Sequence, residues 1–217
     1  MKQKTLFILS GITLLLAFLA ATLYYTSGKQ EEAIEAVAQK QDNLHRMHSP
    51  GKGAEDAKVL IVEFFDPACG TCRDFYPFVH RLMEAHPGQV RVAMRHAPFH
   101  EGSVDVVKIM EAARLQGKYW QTLEALFASQ DDWVLNHVVQ QDRVWNAIAG
   151  VGLDLDRIRR DMNAPEIAAN MVQDMEDAKA LNVTMTPEFF VNGRPMPSFG
   201  HEQLQTLVEE AVAENYH

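Results

Sequence analysis

The chain holds only two cysteines, Cys69 and Cys72, two residues apart in the motif Cys69-Gly70-Thr71-Cys72. What surrounds this pair constrains the fold more than any other feature. Val59–Phe65 (VLIVEFF) is a short apolar run rich in β-branched and aromatic residues, the pattern of a buried strand. Asp66-Pro67 ends it. From Cys69 onward, Cys72, Phe75, Tyr76, Val79, Leu82 and Met83 recur at spacings of three and four, which predicts a helix stopping near Pro87-Gly88. Val90–His96 (VRVAMRH) alternates and predicts a second strand, parallel to the first if the helix crosses over in the usual way. The result is a βαβ unit with both thiols at the start of its helix.

That position has chemical consequences. Unpaired N–H groups and the macrodipole at a helix N-terminus favour an anion, so the Cys69 thiol should titrate below the free value of ~8.5. A thiolate is the species that attacks a disulfide. Cys72, one turn deeper on the same face, can close an intramolecular disulfide with Cys69. Cys69 is therefore the expected nucleophile and Cys72 the resolving thiol. A CxxC can also be half of a zinc site, but there is no second CxxC, and His96 and His100 flank a proline in an expected loop. A purely structural disulfide closing so short a loop would constrain the unfolded chain little. Methionines fall mostly on apolar stripes, where core filling is their default meaning.

Beyond the βαβ unit lies a long helical stretch, roughly residues 103–181. Its helices are suggested by Val104/Val107/Ala112, by Trp120/Leu123/Phe127 and by Val134/Val138/Trp145/Ile148. The clearest has Ile167, Met171, Met175, Ala178 and Leu181 on one stripe and Pro165 in its first turn. Glu188–Val191 (EFFV) predicts a strand, and Asn192-Gly193 predicts a tight hairpin turn into another. Leu204, Leu207, Val208, Ala211 and Val212 mark a closing amphipathic helix. The fold class is α/β, in the order strand, helix, strand, helical block, strand, strand, helix.

The start of the chain differs in kind. No charge interrupts Thr5–Gly28, and Leu6–Tyr25 is almost wholly apolar. Twenty such positions make a helix of about 30 Å, the thickness of a bilayer's hydrocarbon core. Lys2 and Lys4 precede it, so the N-terminus should stay cytoplasmic and the rest should be exported. A cleaved signal peptide is the competing reading, but Leu23, Tyr24 and Tyr25 extend the run past Ala17, Ala20 and Ala21. The expected organisation is an uncleaved anchor over residues 1–28, a juxtamembrane spacer over 29–53, and a folded domain over 54–217. The whole chain has a net charge of −9; the exported part, with 18 bases against 29 acids, has −11. Such an acidic balance argues against nucleic-acid binding and against lying flat on anionic lipid.

EFFDPACGTC, TPEFFVNG and the helical block between them resemble the DsbA-type family of thioredoxin-like, exported bacterial thiol–disulfide oxidoreductases, over roughly residues 58–216. The resemblance implies a thioredoxin-like fold with an inserted helical domain of about 103–181. About 115 residues separate Cys72 from Pro187, which leaves room for that insertion. It implies that Glu63 is the buried carboxylate beneath the active site, passing a proton to or from Cys72. Thr186-Pro187 would be the cis-proline loop, whose backbone pairs with a substrate strand. Pro77 would kink the active-site helix. Gly70-Thr71 departs from the Pro-His pair of strongly oxidising members, so thiolate stabilisation should be weaker than theirs.

The partners implied are client polypeptides carrying thiols or disulfides and a membrane redox protein, DsbB-like or DsbD-like. No cofactor beyond the cysteine pair and no metal are expected. Residues 29–53 are too short for a dimerisation domain, so a monomer is expected, at the extracytoplasmic face of the bacterial inner membrane. His96, His100 and His201 are expected to be surface or loop histidines without a role. The other functional class is an envelope copper-handling protein using Cys69 and Cys72 as soft ligands.

Overall fold

In the computed structural model, residues 42–216 are described, and Asn43–His217 form one compact unit. Its five-stranded sheet has the order β1 (Gly51–Lys52), β3 (Val90–His96), β2 (Val59–Phe65), β6 (Glu188–Val191) and β7 (Arg194–Pro195). β2 and β3 run parallel, in register from Val59 opposite Val90 to Phe65 opposite His96. The other pairings are antiparallel. The parallel pair is bridged by α1 (Gly70–Ala85), the crossover that the alternating strands and the three-four spacing predict.

Side chains alternate across β2. Ile61 and Phe65 join the large core with Cys72, Phe75 and Val79 of α1, while Val62 and Phe64 face a second cluster with Ala97, Ala178, Val183 and Phe190. Glu63 shares the face of Ile61 and Phe65, so the strand's one charge is directed under α1. The closing helix α8 (His201–Asn215) lies against α1, β2 and β6. Asn192 and Gly193 both have positive φ, 47° and 83°, as a two-residue hairpin requires. The Asn192 side chain also pins the turn to Leu60 N and Lys58 O.

Between β3 and β6 the chain builds the helical insertion. It comprises α2 (Ser103–Arg114), α3 (Tyr119–Ala128), α4 (Gln130–Trp133), α5 (Gln141–Ile148), a 3-10 turn (Ala149–Val151), α6 (Leu155–Asp161) and α7 (Pro165–Ala180). One segment departs from expectation. Val134 and Val138 stand in a hairpin, β4 (Val134–Leu135) with β5 (Val138–Val139), and not on a helix. Asn136 and His137 take positive φ at its turn, so the β-branched run VLNHVV folds back on itself where its spacing also suited a helix.

The spacer expectation also changes. The folded unit starts at Asn43, well before Ala54. Leu44 is 2% exposed and packs with Ala178 and Val183. Pro50 O accepts the Met94 N–H at 2.9 Å as β1 joins the sheet. The cause is a buried ionic cluster that no periodicity announces. Arg95, wholly buried, donates from Nε to Asp174 at 2.8 Å, from Nη2 to Asp177 at 2.5 Å and from Nη1 to the Asn43 carbonyl at 2.7 Å. Arg46 reaches Asp177 at 2.6 Å, and His48 Nε2 stands 2.7 Å from Asp174. His96 is 2% exposed, against expectation, because its ring meets Tyr119 Oη at 3.0 Å and its N–H bonds Asp174. Burial alone would raise Asp174; the hydrogen bonds from His48 and His96 and the charge of Arg95 outweigh it and hold the carboxyl well below the usual range. Among the described residues no helix is long and apolar enough to cross a membrane, and the expected anchor, residues 1–28, lies outside them.

Candidate active site

β2 delivers the chain to the C-terminal edge of the sheet, and Asp66 turns it. The carboxylate of Asp66, wholly buried, accepts the Ala68 N–H at 2.8 Å, the His100 N–H at 2.7 Å and the Ser103 hydroxyl. The Asp66 carbonyl accepts the Cys69 N–H at 3.0 Å. Cys69 is then the N-cap of α1, with extended backbone, and its Sγ receives the Cys72 N–H at 3.4 Å. No acidic residue stands in the first turn of α1 to oppose an anion there. Gly70 and Thr71 are exposed between the two thiols, which are not bonded to each other.

The Thr186–Pro187 peptide is cis. Cys69 Sγ lies 3.2 Å from the Thr186 carbonyl, so the loop before β6 touches this sulfur directly. Pro187 is buried and Thr186 half-buried. Pro77 lies within α1 on its exposed side. His201 packs on Phe75 with ring centroids 4.1 Å apart, and His100 Nδ1 stands 2.8 Å from Asp66.

The thiols differ in acidity. The Cys72 thiol donating to Cys69 lowers the latter most; burial opposes it, and hydrogen bonding at Thr186 and from the Cys72 and Thr71 backbone adds to the fall, from 9.0 to about 6. Cys72 moves the other way, raised well above 9.0 by burial first, then by its bond to Cys69 and the negative charges of Glu63 and Cys69. Glu63, 2% exposed, is pushed from 4.5 up to about 8 by burial and secondarily by the Cys69 charge. Near neutral pH the site thus carries a thiolate on Cys69 and protons on Cys72 and Glu63.

A pH-dependent result follows for Glu63. A carboxyl whose folded value is raised binds its proton more tightly in the folded state, so its contribution to stability is present below pH ~4.5 and is lost as pH rises through about 8. Cys69, lowered when folded, works oppositely between about 6 and 9.0. Glu63→Gln isolates the first effect. Its stability advantage over the wild type should grow from pH 5 to pH 8, reaching about 2–5 kcal/mol in urea unfolding. A constant gap across that window would remove Glu63 from the buried titrating role.

Two residues were not visible in the sequence as part of this site. Asp66 looked like a strand terminator, and Gln130 lay in the helical block; its Nε2 donates to the carbonyls of Pro67 and Cys69. Beside the cis-proline loop an open apolar groove of about 740 Å³ is lined by Phe99, Val104, Met171, Val172 and Val183 and ends at Thr184. Among the described residues no group of three or more His, Cys, Asp or Glu side chains is gathered for a metal ion.

A family model described as thioredoxin matches residues 45–210. A solved thioredoxin-like oxidoreductase from Silicibacter pomeroyi is 34% identical, with a TM-score of 0.69 over 79% of this chain and 97% of that one. The alpha-DsbA1 protein of Wolbachia pipientis shares the fold, at 19% identity and a TM-score of 0.67, over 81% of this chain and 98% of its own. Among curated proteins, a Na(+)/H(+) antiporter NhaA of Herminiimonas arsenicoxydans is 29% identical over 160 residues, 74% of this chain and 25% of the antiporter. The chain spans about a quarter of the length of the curated relatives it matches.

Proposed function

The chain belongs to the thioredoxin family, and from that premise we propose that it is a thiol–disulfide oxidoreductase acting on client polypeptides through Cys69 and Cys72. One observation carries the reading: Cys69 sits at a helix N-cap with its thiol lowered to about 6, directly above a buried, protonated Cys72.

In the reducing direction the Cys69 thiolate attacks a client disulfide, forming a mixed disulfide and expelling one client thiolate. Consuming the Cys69 charge removes one of the two influences that raise Glu63, so Glu63 ionises more readily. Its carboxylate then takes the Cys72 proton, and the Cys72 thiolate attacks Cys69 Sγ. The second client thiolate leaves, two electrons have passed to the client, and a Cys69–Cys72 disulfide remains. In the oxidising direction a client thiolate attacks Cys69 of that disulfide, and Glu63 protonates the departing Cys72. The Thr186 carbonyl beside Cys69 is the pairing point for client backbone, and the apolar groove ending at Thr184 suits the unfolded flanks of the attacked cysteine.

The cysteine pair is itself the electron carrier, with no further cofactor. We place the domain at the extracytoplasmic face of a bacterial inner membrane, as a monomer tethered by the apolar segment over residues 6–25 behind Lys2 and Lys4. A membrane protein of DsbB or DsbD type would then reset the pair. The test is trapping. Cys72→Ser should accumulate disulfide-linked clients through Cys69, visible on non-reducing gels and lost on adding dithiothreitol. A folded, exported variant that traps nothing would sink the proposal.

A further inference from the structure

The turn that presents Cys69 is held from two sides, and one of them is the helical insertion. Gln130, 3% exposed, opens α4. Its Nε2 lies 2.8 Å from the Pro67 carbonyl and 3.1 Å from the Cys69 carbonyl, one amide group donating to both. The Cys69 carbonyl also accepts the Arg73 N–H at 3.2 Å, in the first turn of α1. Asp66 holds the opposite polarity of the same turn, through the Ala68 and Cys69 N–H groups. α4 is a firm base for this contact. Trp133 is wholly buried and its indole donates to the Leu126 carbonyl at 2.8 Å, while Arg73 of α1 meets Asp131 at 2.7 Å.

We propose that Gln130 is a positioning residue for the thiol chemistry, fixing the Pro67–Cys69 turn so that the Cys69 sulfur stays in line with the Cys72 N–H. The helical insertion thereby sets the reactivity of the nucleophile as well as forming one wall of the site. This rests on the reading of Cys69 as the nucleophile. The Cys72 N to Cys69 Sγ separation of 3.4 Å depends on the orientation of a turn whose carbonyls have no other side-chain donor among the described residues. The residue type matters. A carboxylate would oppose two carbonyl oxygens, a thioether offers no donor, and asparagine is one methylene shorter. Loss of the amide leaves a buried carbonyl unpaired and loosens the sulfur's alignment.

The experiment compares the full chain with Gln130→Met, of similar volume, and Gln130→Glu, of the same shape, each checked for folding by circular dichroism. Two quantities are read: the Cys69 thiolate titration at 240 nm, and the equilibrium with reduced and oxidised glutathione. Gln130→Met should lower the Cys69 ionisation constant about threefold and shift the glutathione equilibrium about two- to threefold toward the disulfide form, because the dithiol loses thiolate stabilisation. Gln130→Glu should do the same or more. A folded variant with both quantities at wild-type values overturns the proposal, whatever its melting temperature. If Gln130→Met does not fold, Gln130→Glu decides alone. A wild type whose Cys69 titrates near the free value overturns the nucleophile reading and this inference with it, which separates the two failures.

Discussion

Cys69→Ser should abolish disulfide exchange, reducing insulin no faster than buffer with dithiothreitol alone. A serine hydroxyl does not ionise in the range where Cys69 does, so the attacking anion is gone. Cys72 cannot replace it. It is wholly buried, and desolvation keeps its proton in place. The same variant reports on acidity. Wild-type absorbance at 240 nm should show a thiolate step near pH 6 that Cys69→Ser lacks up to pH 9. A step surviving near pH 6 in the variant would assign the acidic thiol to Cys72 and reverse the roles of the pair.

Arg95→Met should cost about 3–5 kcal/mol, among the largest effects any single substitution can have on this fold. The guanidinium is wholly buried between Asp174 and Asp177 and also satisfies the Asn43 carbonyl. Removing it leaves two buried carboxylates without their central cation, with Arg46, His48 and His96 still beside them, and strips the N-terminal segment of an anchor. Against a total stability of about 5–15 kcal/mol, such a loss leaves a domain close to unfolding at 37 °C. The measurement is urea unfolding at pH 7. Adding Asp174→Asn and Asp177→Asn to Arg95→Met should recover part of the loss, since the uncompensated charge is then absent. The deficit of Arg95→Met should also narrow as pH falls through the carboxylate range, where protonation relieves the pair. A variant within 1 kcal/mol of wild type would mean that the cluster contributes little net stability.

The parts of the molecule that repeat a local rule were legible in the sequence. VLIVEFF, the three-four spacing after Cys69 and Asn192-Gly193 each carry their own geometry, and together they define the sheet and α1. The site was readable for the same reason, because CxxC follows a strand and opens a helix. What escaped depends on partners far apart in the chain. Arg95 looks like the polar phase of an alternating strand and His96 like its polar end, and nothing local marks Asp174 and Asp177 of α7 as partners for them. Only the fold brings them together, and with them the segment from Asn43 that resembled a spacer. Val134–Val139 failed differently: four valine and leucine positions suit a helix stripe or a hairpin, and the turn at Asn136-His137 decides it. Gln130 carries no signal at all, since its importance comes from reaching two carbonyls more than sixty residues earlier.

The outermost strands of the sheet, Gly51–Lys52 and Arg194–Pro195, are two residues long, and the second ends in a residue without an N–H group. A protein that handles unfolded polypeptide meets chain segments ready to pair with any open strand edge. Such short, proline-blunted margins give an extended client almost no ladder to lengthen. Under the proposed function, association is then left to the Thr186 loop, the apolar groove and the transient bond at sulfur, and the sheet edge is withheld from seeding aggregates.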